Sequence, residues 1–110
     1  MATNYKVLGQ AALTAETSTD VYTVPAATET IVSTIAVCNR ATAANTFRVA
    51  VRPDGATLAN EHYLIYDTPV EANDTTFITV GITADAGDVV TVYSGASAEI
   101  TVSIFGSEVS

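Results

Sequence analysis

Positive charge is scarce in this chain. Four of its 110 residues are basic against twelve acidic ones, and the formal net charge is −8. The basic residues are Lys6, Arg40, Arg48 and Arg52. A protein that binds nucleic acid neutralises phosphates with lysine and arginine, and an anionic membrane surface attracts the same residues. We therefore expect neither a nucleic-acid nor a membrane partner.

Cysteine and histidine each occur once, as Cys38 and His62. A single cysteine excludes an internal disulfide. Because Cys38 ends the apolar run IVSTIAVC, we predict a buried, unreactive thiol. A catalytic triad or zinc site would have to include His62, yet no serine lies in a G-x-S-x-G elbow, and Glu61 and Cys38 complete no zinc-ligand spacing around it. We predict no enzyme activity and no catalytic residues, with His62 in a loop or at a strand edge.

No apolar run approaches the roughly 20 residues of a membrane helix. The first ten residues, MATNYKVLGQ, lack the basic start and apolar segment of a signal peptide. We expect the protein to be made and used without secretion. The glycines are scattered and form no phosphate-binding loop, so no nucleotide cofactor is predicted.

Half of the carboxylates fall in predicted turns. Turn chemistry and solubility explain such positions, although a chance acid/base pair or a calcium site remains an alternative. No EF-hand spacing is present, and we predict no metal or other cofactor. The turn carboxylates are Asp54, Asp67, Glu71, Asp74, Asp85 and Asp88.

Short runs of alternating apolar and polar residues recur along the chain, whereas helical periodicity of any length does not. Such runs, bounded by turn residues, are typical of strands. Thr30–Cys38 is the longest run; Ile31 and Ile35 fall on one of its faces, and both faces are apolar enough to be covered. We therefore predict that it is a central strand. Between Thr46 and Arg52, Phe47 and Val49 should point inward and Arg48 outward.

These runs predict a single all-β domain, an antiparallel β-sandwich of about eight strands, with jelly-roll and immunoglobulin-like topologies both open. Residues 1–10 would form an N-terminal arm or first strand, and residues 11–110 the sandwich. Residues 57–64, TLANEHYL, could begin with a helical turn instead of a strand. The predicted strands are Tyr5–Gly9, Asp20–Val24, Thr30–Cys38, Thr46–Arg52, Glu61–Tyr66, Thr75–Ile82, Val89–Ser94 and Ala98–Phe105, with a loop around Pro69 and Asn73.

The best aromatic patch is formed by Tyr63 and Tyr66, which lie close in sequence to His62 and Asp67. A tyrosine ring is rigid and amphipathic, so such a patch could stack on a sugar. Packing in the core or in a subunit interface is the other interpretation.

Three segments of the chain are similar to small structural proteins of tailed bacteriophages. They are VYTVPAATETIVSTIAVCNRATAANTFRVAVRP, HYLIYD and DVVTVYSGASAEITVSIFG, and the likeness extends from about residue 10 to residue 106. The resemblance implies a β-rich component of the virion without catalytic residues, of the kind described as head decoration (cement), tail-associated or fibre-associated subunits.

We accordingly expect a non-enzymatic decoration subunit, located in the virion, that binds the major capsid protein and stabilises the shell. The alternative is a tail-, neck- or fibre-associated structural or adhesion subunit. The low charge density suits a homo-oligomer, with a trimer favoured, because interface cores are depleted in charge. We expect contacts through Met1–Gln10 and through loops 39–45 and 67–74.

Overall fold

The protein is a sandwich of two four-stranded antiparallel sheets. A computed structural model describes residues 2–96 and 98–110. This part of the chain contains no α-helix, only two 3-10 turns at Pro53–Gly55 and Asn60–His62, so the predicted all-β sandwich is confirmed. The strands are β1 (Thr3–Ala12), β2 (Ser18–Thr23), β3 (Glu29–Asn39), β4 (Asn45–Arg52), β5 (Tyr63–Val70), β6 (Thr75–Ala84), β7 (Val89–Ser94) and β8 (Ile100–Val109).

The strand order is that of a jelly roll. Sheet I has the order β1-β8-β3-β6 and sheet II the order β2-β7-β4-β5. The first strand pairs with the last, the second with the second-to-last, and so on: β1 with β8, β2 with β7, β3 with β6 and β4 with β5. The chain is thus one long hairpin, with its tip between β4 and β5, wrapped so that further pairs form between β3 and β8 and between β4 and β7. Of the two topologies that the sequence allowed, this order selects the jelly roll.

The two ends of the chain are paired with each other. β1 is an edge strand of sheet I and pairs with β8 from Thr3 opposite Val109 to Ala12 opposite Thr101. Ala2 and Ser110 extend this pairing with two backbone hydrogen bonds of 2.7 and 2.9 Å. Residues 3–10 of the predicted arm or first strand are therefore a strand of the sandwich, and Met1 lies outside the described residues.

The core lies between the sheets and consists of alternate residues from facing strands, because successive side chains of a strand point to opposite sides. Phe47 and Val49 point inward as predicted, and Arg48 points outward. The largest fully buried side chains are Leu13, Val32, Ile35, Val37, Phe47, Val49, Val70, Val90, Val92, Ile100, Val102 and Ile104.

A β-bulge at Ser33 shifts the alternation within β3. Between Val32 and Thr34, β3 has one residue more than β8 and one residue fewer than β6. As a result Ile35 is fully buried while Ile31 is 46% exposed on the opposite face. The prediction that Ile31 and Ile35 share one face is wrong, because strict period two does not hold across a bulge. The predicted central position of β3, between β8 and β6, is confirmed.

The fifth strand begins and ends later than the alternation predicted. The 3-10 turn at Asn60–His62 takes the place of its first residues, as residues 57–64 allowed. Pro69, predicted in a loop, lies in β5 opposite Thr46. This strand is at the edge of sheet II, where a residue without an N–H group is tolerated. Of the predicted contact loop 67–74, only residues 71–74 lie outside strands.

Candidate interaction surfaces

Within the described residues, the outward-pointing positions in the middle of sheet I hold no charged side chain. Alternate residues of its four strands point away from the core, and these positions hold apolar, serine, threonine and glutamine side chains. Glu29, at the start of β3, is exposed at one end of the face. We call this surface the uncharged face. Its residues are Tyr5, Val7 and Gln10 of β1, Thr101, Ser103 and Phe105 of β8, Ile31, Ser33, Thr34, Ala36 and Cys38 of β3, and Phe77, Thr79 and Thr83 of β6.

Several large apolar side chains stand out from the uncharged face into solvent. Tyr5 is 86% exposed and Phe77 is 69% exposed, on the two edge strands of the sheet. Val7 and Ile31, about half exposed, line a shallow groove of about 460 Å³ together with Phe105. Lys6, whose Nζ is paired with Glu108, also lines this groove. Exposed apolar side chains grouped on one sheet face are typical of an interaction site.

Cys38 lies on the uncharged face and is half-buried. Val37 and Asn39, its neighbours in the sequence, occupy the inward positions of β3. The flanking strands place Thr75 and Thr101 opposite Cys38. The prediction of a buried thiol is therefore corrected to a half-buried one, because the end of the apolar run does not point into the core.

The outer face of sheet II carries a cluster of charged and aromatic side chains. The guanidinium of Arg48 lies 4.1 Å from the ring centroid of Tyr66 and 4.3 Å from that of Tyr93. Arg48 Nε and Nη2 donate hydrogen bonds of 2.6 and 3.3 Å to the two carboxylate oxygens of Asp67. The Tyr63 ring meets Tyr66 edge-on at 4.9 Å. We call these five residues the arginine–tyrosine cluster.

Strand pairing brings the arginine–tyrosine cluster together. Arg48 lies directly opposite Tyr93 on β7. On its other side β5 has a bulge, so that Tyr66 and Asp67 both lie opposite Arg48. Asp67 adopts a left-handed backbone conformation with φ of 49°, which is uncommon for a residue other than glycine. The extra residue allows a ring and a carboxylate to reach the same guanidinium.

The neighbouring Asp67 carboxylate affects the pKa of Arg48. The Asp67 carboxylate accepts the hydrogen bonds of Arg48 and raises the pKa of Arg48 above its ordinary value, although burial acts in the opposite direction. Asp67 therefore stabilises the charged form of Arg48. Guanidinium groups stacked on aromatic rings gain a further electrostatic attraction to the ring faces.

The predicted aromatic patch is partly reproduced. Tyr63, Tyr66 and Asp67 come together, whereas His62 serves the preceding turn, where its Nδ1 accepts a 3.0 Å hydrogen bond from the Ala59 N–H group. Arg48 belongs to the cluster but was not part of the predicted patch. Its outward position on β4 was predicted, and this was the available signal for its exposure. Tyr93, the other residue missed, was also not linked to Tyr66 by any local pattern.

The acidic turns use their carboxylates for backbone hydrogen bonds. Asp88 Oδ1 accepts a hydrogen bond from the Asp54 N–H group and Asp88 Oδ2 accepts one from the Asp85 N–H group, at 2.8 and 2.9 Å. Across residues 2–96 and 98–110 no group of three His, Cys, Asp or Glu residues is arranged to hold a metal ion. Turn formation accounts for the positions of these aspartates.

Comparisons with protein-family models, with curated proteins and with solved structures gave no match to this chain. Within the described residues no helix has the length and apolarity that crossing a membrane requires. The uncharged face and the arginine–tyrosine cluster are the structural basis for a functional proposal.

Proposed function

We propose that this protein is a non-enzymatic structural subunit of a tailed-phage virion, a head decoration protein that binds the major capsid protein through the uncharged face. The observation that carries the proposal is the exposure of Tyr5, Phe77 and Ile31 on a sheet face without charge between its ends. The resemblance of three sequence segments to phage structural proteins supports the same function.

Burial of the uncharged face is favourable on physical grounds. Removing apolar surface from water contributes about 25 cal/mol per Å², and the cores of protein interfaces are depleted in charged residues. A formal charge of −8 also keeps copies of the chain apart until a specific contact forms. Docking through the uncharged face buries apolar groups and leaves most carboxylates in solvent.

A decoration subunit stabilises a shell by mass action. A ligand that binds only the assembled state shifts the equilibrium toward that state. Each copy would contact neighbouring capsid subunits, and homo-oligomers, with a trimer favoured, would contact several at once. No catalytic step is required for this function.

A tail-, neck- or fibre-associated subunit is the second candidate. The arginine–tyrosine cluster favours it, because an exposed aromatic cluster on the sheet opposite the uncharged face could contact a host receptor. Copy number separates the two candidates. A number comparable to that of the capsid subunits supports the head, and a far smaller number supports the tail or neck.

The proposal is tested with Phe77→Lys, which places a charge in the uncharged face, and Leu64→Lys as the matched control. Leu64 is 54% exposed on sheet II, so both variants replace an exposed apolar residue without disturbing the core. Stripped phage particles are incubated with each protein and sedimented. We expect Phe77→Lys to remain unbound and Leu64→Lys to bind like the wild-type protein.

Particles that carry the wild-type protein should retain their genome at higher temperature than particles without it. Equal binding of Phe77→Lys and the wild-type protein would contradict docking through the uncharged face. Particles that are equally heat-stable without the protein, yet fail to adsorb to cells, would favour the tail or fibre candidate.

A further inference from the structure

We propose that the arginine–tyrosine cluster is a binding site for a neutral saccharide, whose pyranose ring stacks on Tyr66 and whose hydroxyl groups bind Asp67 and Arg48. Tyr66 is 56% exposed. The Arg48 guanidinium lies over the Tyr66 ring, and the Tyr63 and Tyr66 rings are nearly perpendicular, with their centroids 4.9 Å apart. A ring held in this way loses little conformational freedom when the C–H face of a sugar packs on its exposed surface.

A hydrogen-bond acceptor, Asp67, and a hydrogen-bond donor, Arg48, both lie beside the Tyr66 ring. The side chain of Asp67 is 45% exposed and that of Arg48 is 22% exposed. The carboxylate accepts hydrogen bonds at several lone pairs, and a guanidinium has five N–H groups. Two of those of Arg48 bind Asp67, and Tyr63 interacts with the same guanidinium. Adjacent sugar hydroxyls both donate and accept. A carboxylate next to a guanidinium therefore matches a vicinal diol.

The backbone of β5 has two irregular features at the arginine–tyrosine cluster. The β5 bulge opposite Arg48 and the left-handed conformation of Asp67 occur at the same place. Bulges re-aim side chains and are frequent beside binding sites, and strained non-glycine residues also cluster at functional sites. Here the two features place Asp67 next to the exposed Tyr66 ring.

The charge balance favours a neutral ligand. The positive charge of Arg48 is paired with Asp67, and the chain as a whole is strongly acidic. An anionic ligand would find no net positive charge. Arg52, on the same sheet, has a structural role instead. Its guanidinium donates to Asp20, to Thr91 and to two backbone carbonyls, and so fixes the adjoining turn.

The saccharide site lies on sheet II and the proposed docking surface lies on sheet I. A decoration subunit attached through sheet I would keep the cluster accessible, and a fibre subunit could use it equally. Loss of capsid binding therefore leaves saccharide binding unaffected, and the two proposals fail independently.

The experiment combines a printed array of neutral and acidic glycans with NMR titration of the ¹⁵N-labelled protein. The NMR probes are maltose, N,N′-diacetylchitobiose, lactose and 3′-sialyllactose, the last two being a matched neutral and acidic pair. We expect saturable shifts at the amides of Arg48, Tyr66, Asp67 and Tyr93 with at least one neutral saccharide. Tyr66→Ala and Asp67→Asn should each weaken binding by about tenfold or more.

Tyr5→Ala is the matched control, since it removes an exposed tyrosine from the opposite sheet. It should bind the saccharide like the wild-type protein. Asparagine tolerates the left-handed conformation required at position 67, so Asp67→Asn should fold normally, as its thermal unfolding will show. Absence of binding by every neutral glycan, equal binding by the Tyr66 and Asp67 variants, or tighter binding of 3′-sialyllactose than of lactose would each overturn the proposal.

Discussion

The Tyr22 hydroxyl donates a 2.5 Å hydrogen bond to Glu108 Oε2, and this bond joins the two sheets across the core. Tyr22 lies in β2 of sheet II and Glu108 in β8 of sheet I. The Thr30 hydroxyl lies 2.8 Å from the Tyr22 oxygen and donates to it, and Lys6 Nζ lies 2.9 Å from Glu108 Oε1. The buried carboxylate is thereby satisfied from both sides, as burial requires.

Removing the tyrosine hydroxyl should destabilise the sandwich. Tyr22→Phe leaves Glu108 and Thr30 without a shared partner, and an unsatisfied buried polar group costs about 1–3 kcal/mol. Urea unfolding of the variant should show this loss in the free energy of unfolding. Tyr5→Phe is the control, because Tyr5 is almost fully exposed and its hydroxyl should contribute nothing measurable. Equal stability of Tyr22→Phe and the wild-type protein would contradict the proposed role of this bond.

The same network predicts loss of stability at both extremes of pH. The hydrogen bonds from Tyr22 and then Lys6 lower the pKa of Glu108, so its contribution is present above the ordinary glutamate pKa and is lost as the pH falls through the lowered value. Burial and the Glu108 carboxylate raise the pKa of Tyr22 from 10.0 to about 12, so its contribution is lost as the pH rises across that interval.

Unfolding free energies measured across pH will check both directions. Glu108→Gln should flatten the acidic side of the stability curve, and Tyr22→Phe should flatten the side between pH 10.0 and about 12. Curves that run parallel to that of the wild-type protein would assign the pH dependence to other groups.

The bulge at Ser33 predicts opposite outcomes for two isoleucines of one strand. Ile35→Ala should cost about 2–5 kcal/mol, because it leaves a cavity in the core. Ile31→Ala should change the free energy of unfolding by no more than about 0.5 kcal/mol, since Ile31 faces outward. Strict alternation would instead give both substitutions the same cost. Chemical denaturation of the two variants distinguishes these outcomes.

Substitution of two glycines by alanine should also have different effects on the free energy of unfolding. A Cβ atom at Gly106 would meet the Ile31 carbonyl oxygen, with Leu8 Cδ1 a further 3.1 Å contact, so Gly106→Ala should cost about 1–3 kcal/mol. A Cβ atom at Gly81 meets nothing within 4 Å, and Gly81→Ala should leave stability unchanged or raise it by up to about 1 kcal/mol. Thermal unfolding of both variants tests the pair, and a harmless Gly106→Ala would show that β3 and β8 can separate there.

The sequence alone determined the class of fold and most of its strands. The turn residues 85–88 located the start of Val89–Ser94, which has the predicted bounds, and alternation within β4 assigned Phe47 and Val49 to the core. Turn residues located the tight turns, where Gly55 and Gly87 have the positive φ values expected of them. The scarcity of lysine and arginine is likewise a property of the sequence alone.

Only the tertiary structure decided which strands are neighbours and which faces are covered. Strand order comes from non-local pairing, which local periodicity does not encode, so the jelly roll and the immunoglobulin-like sandwich were equally compatible with the sequence. The same pairing set Arg48 opposite Tyr93, 45 residues away. Bulges moved Ile31 outward and placed both Tyr66 and Asp67 opposite Arg48. Both candidate surfaces therefore arise from cross-strand register, because register determines which outward side chains share a face.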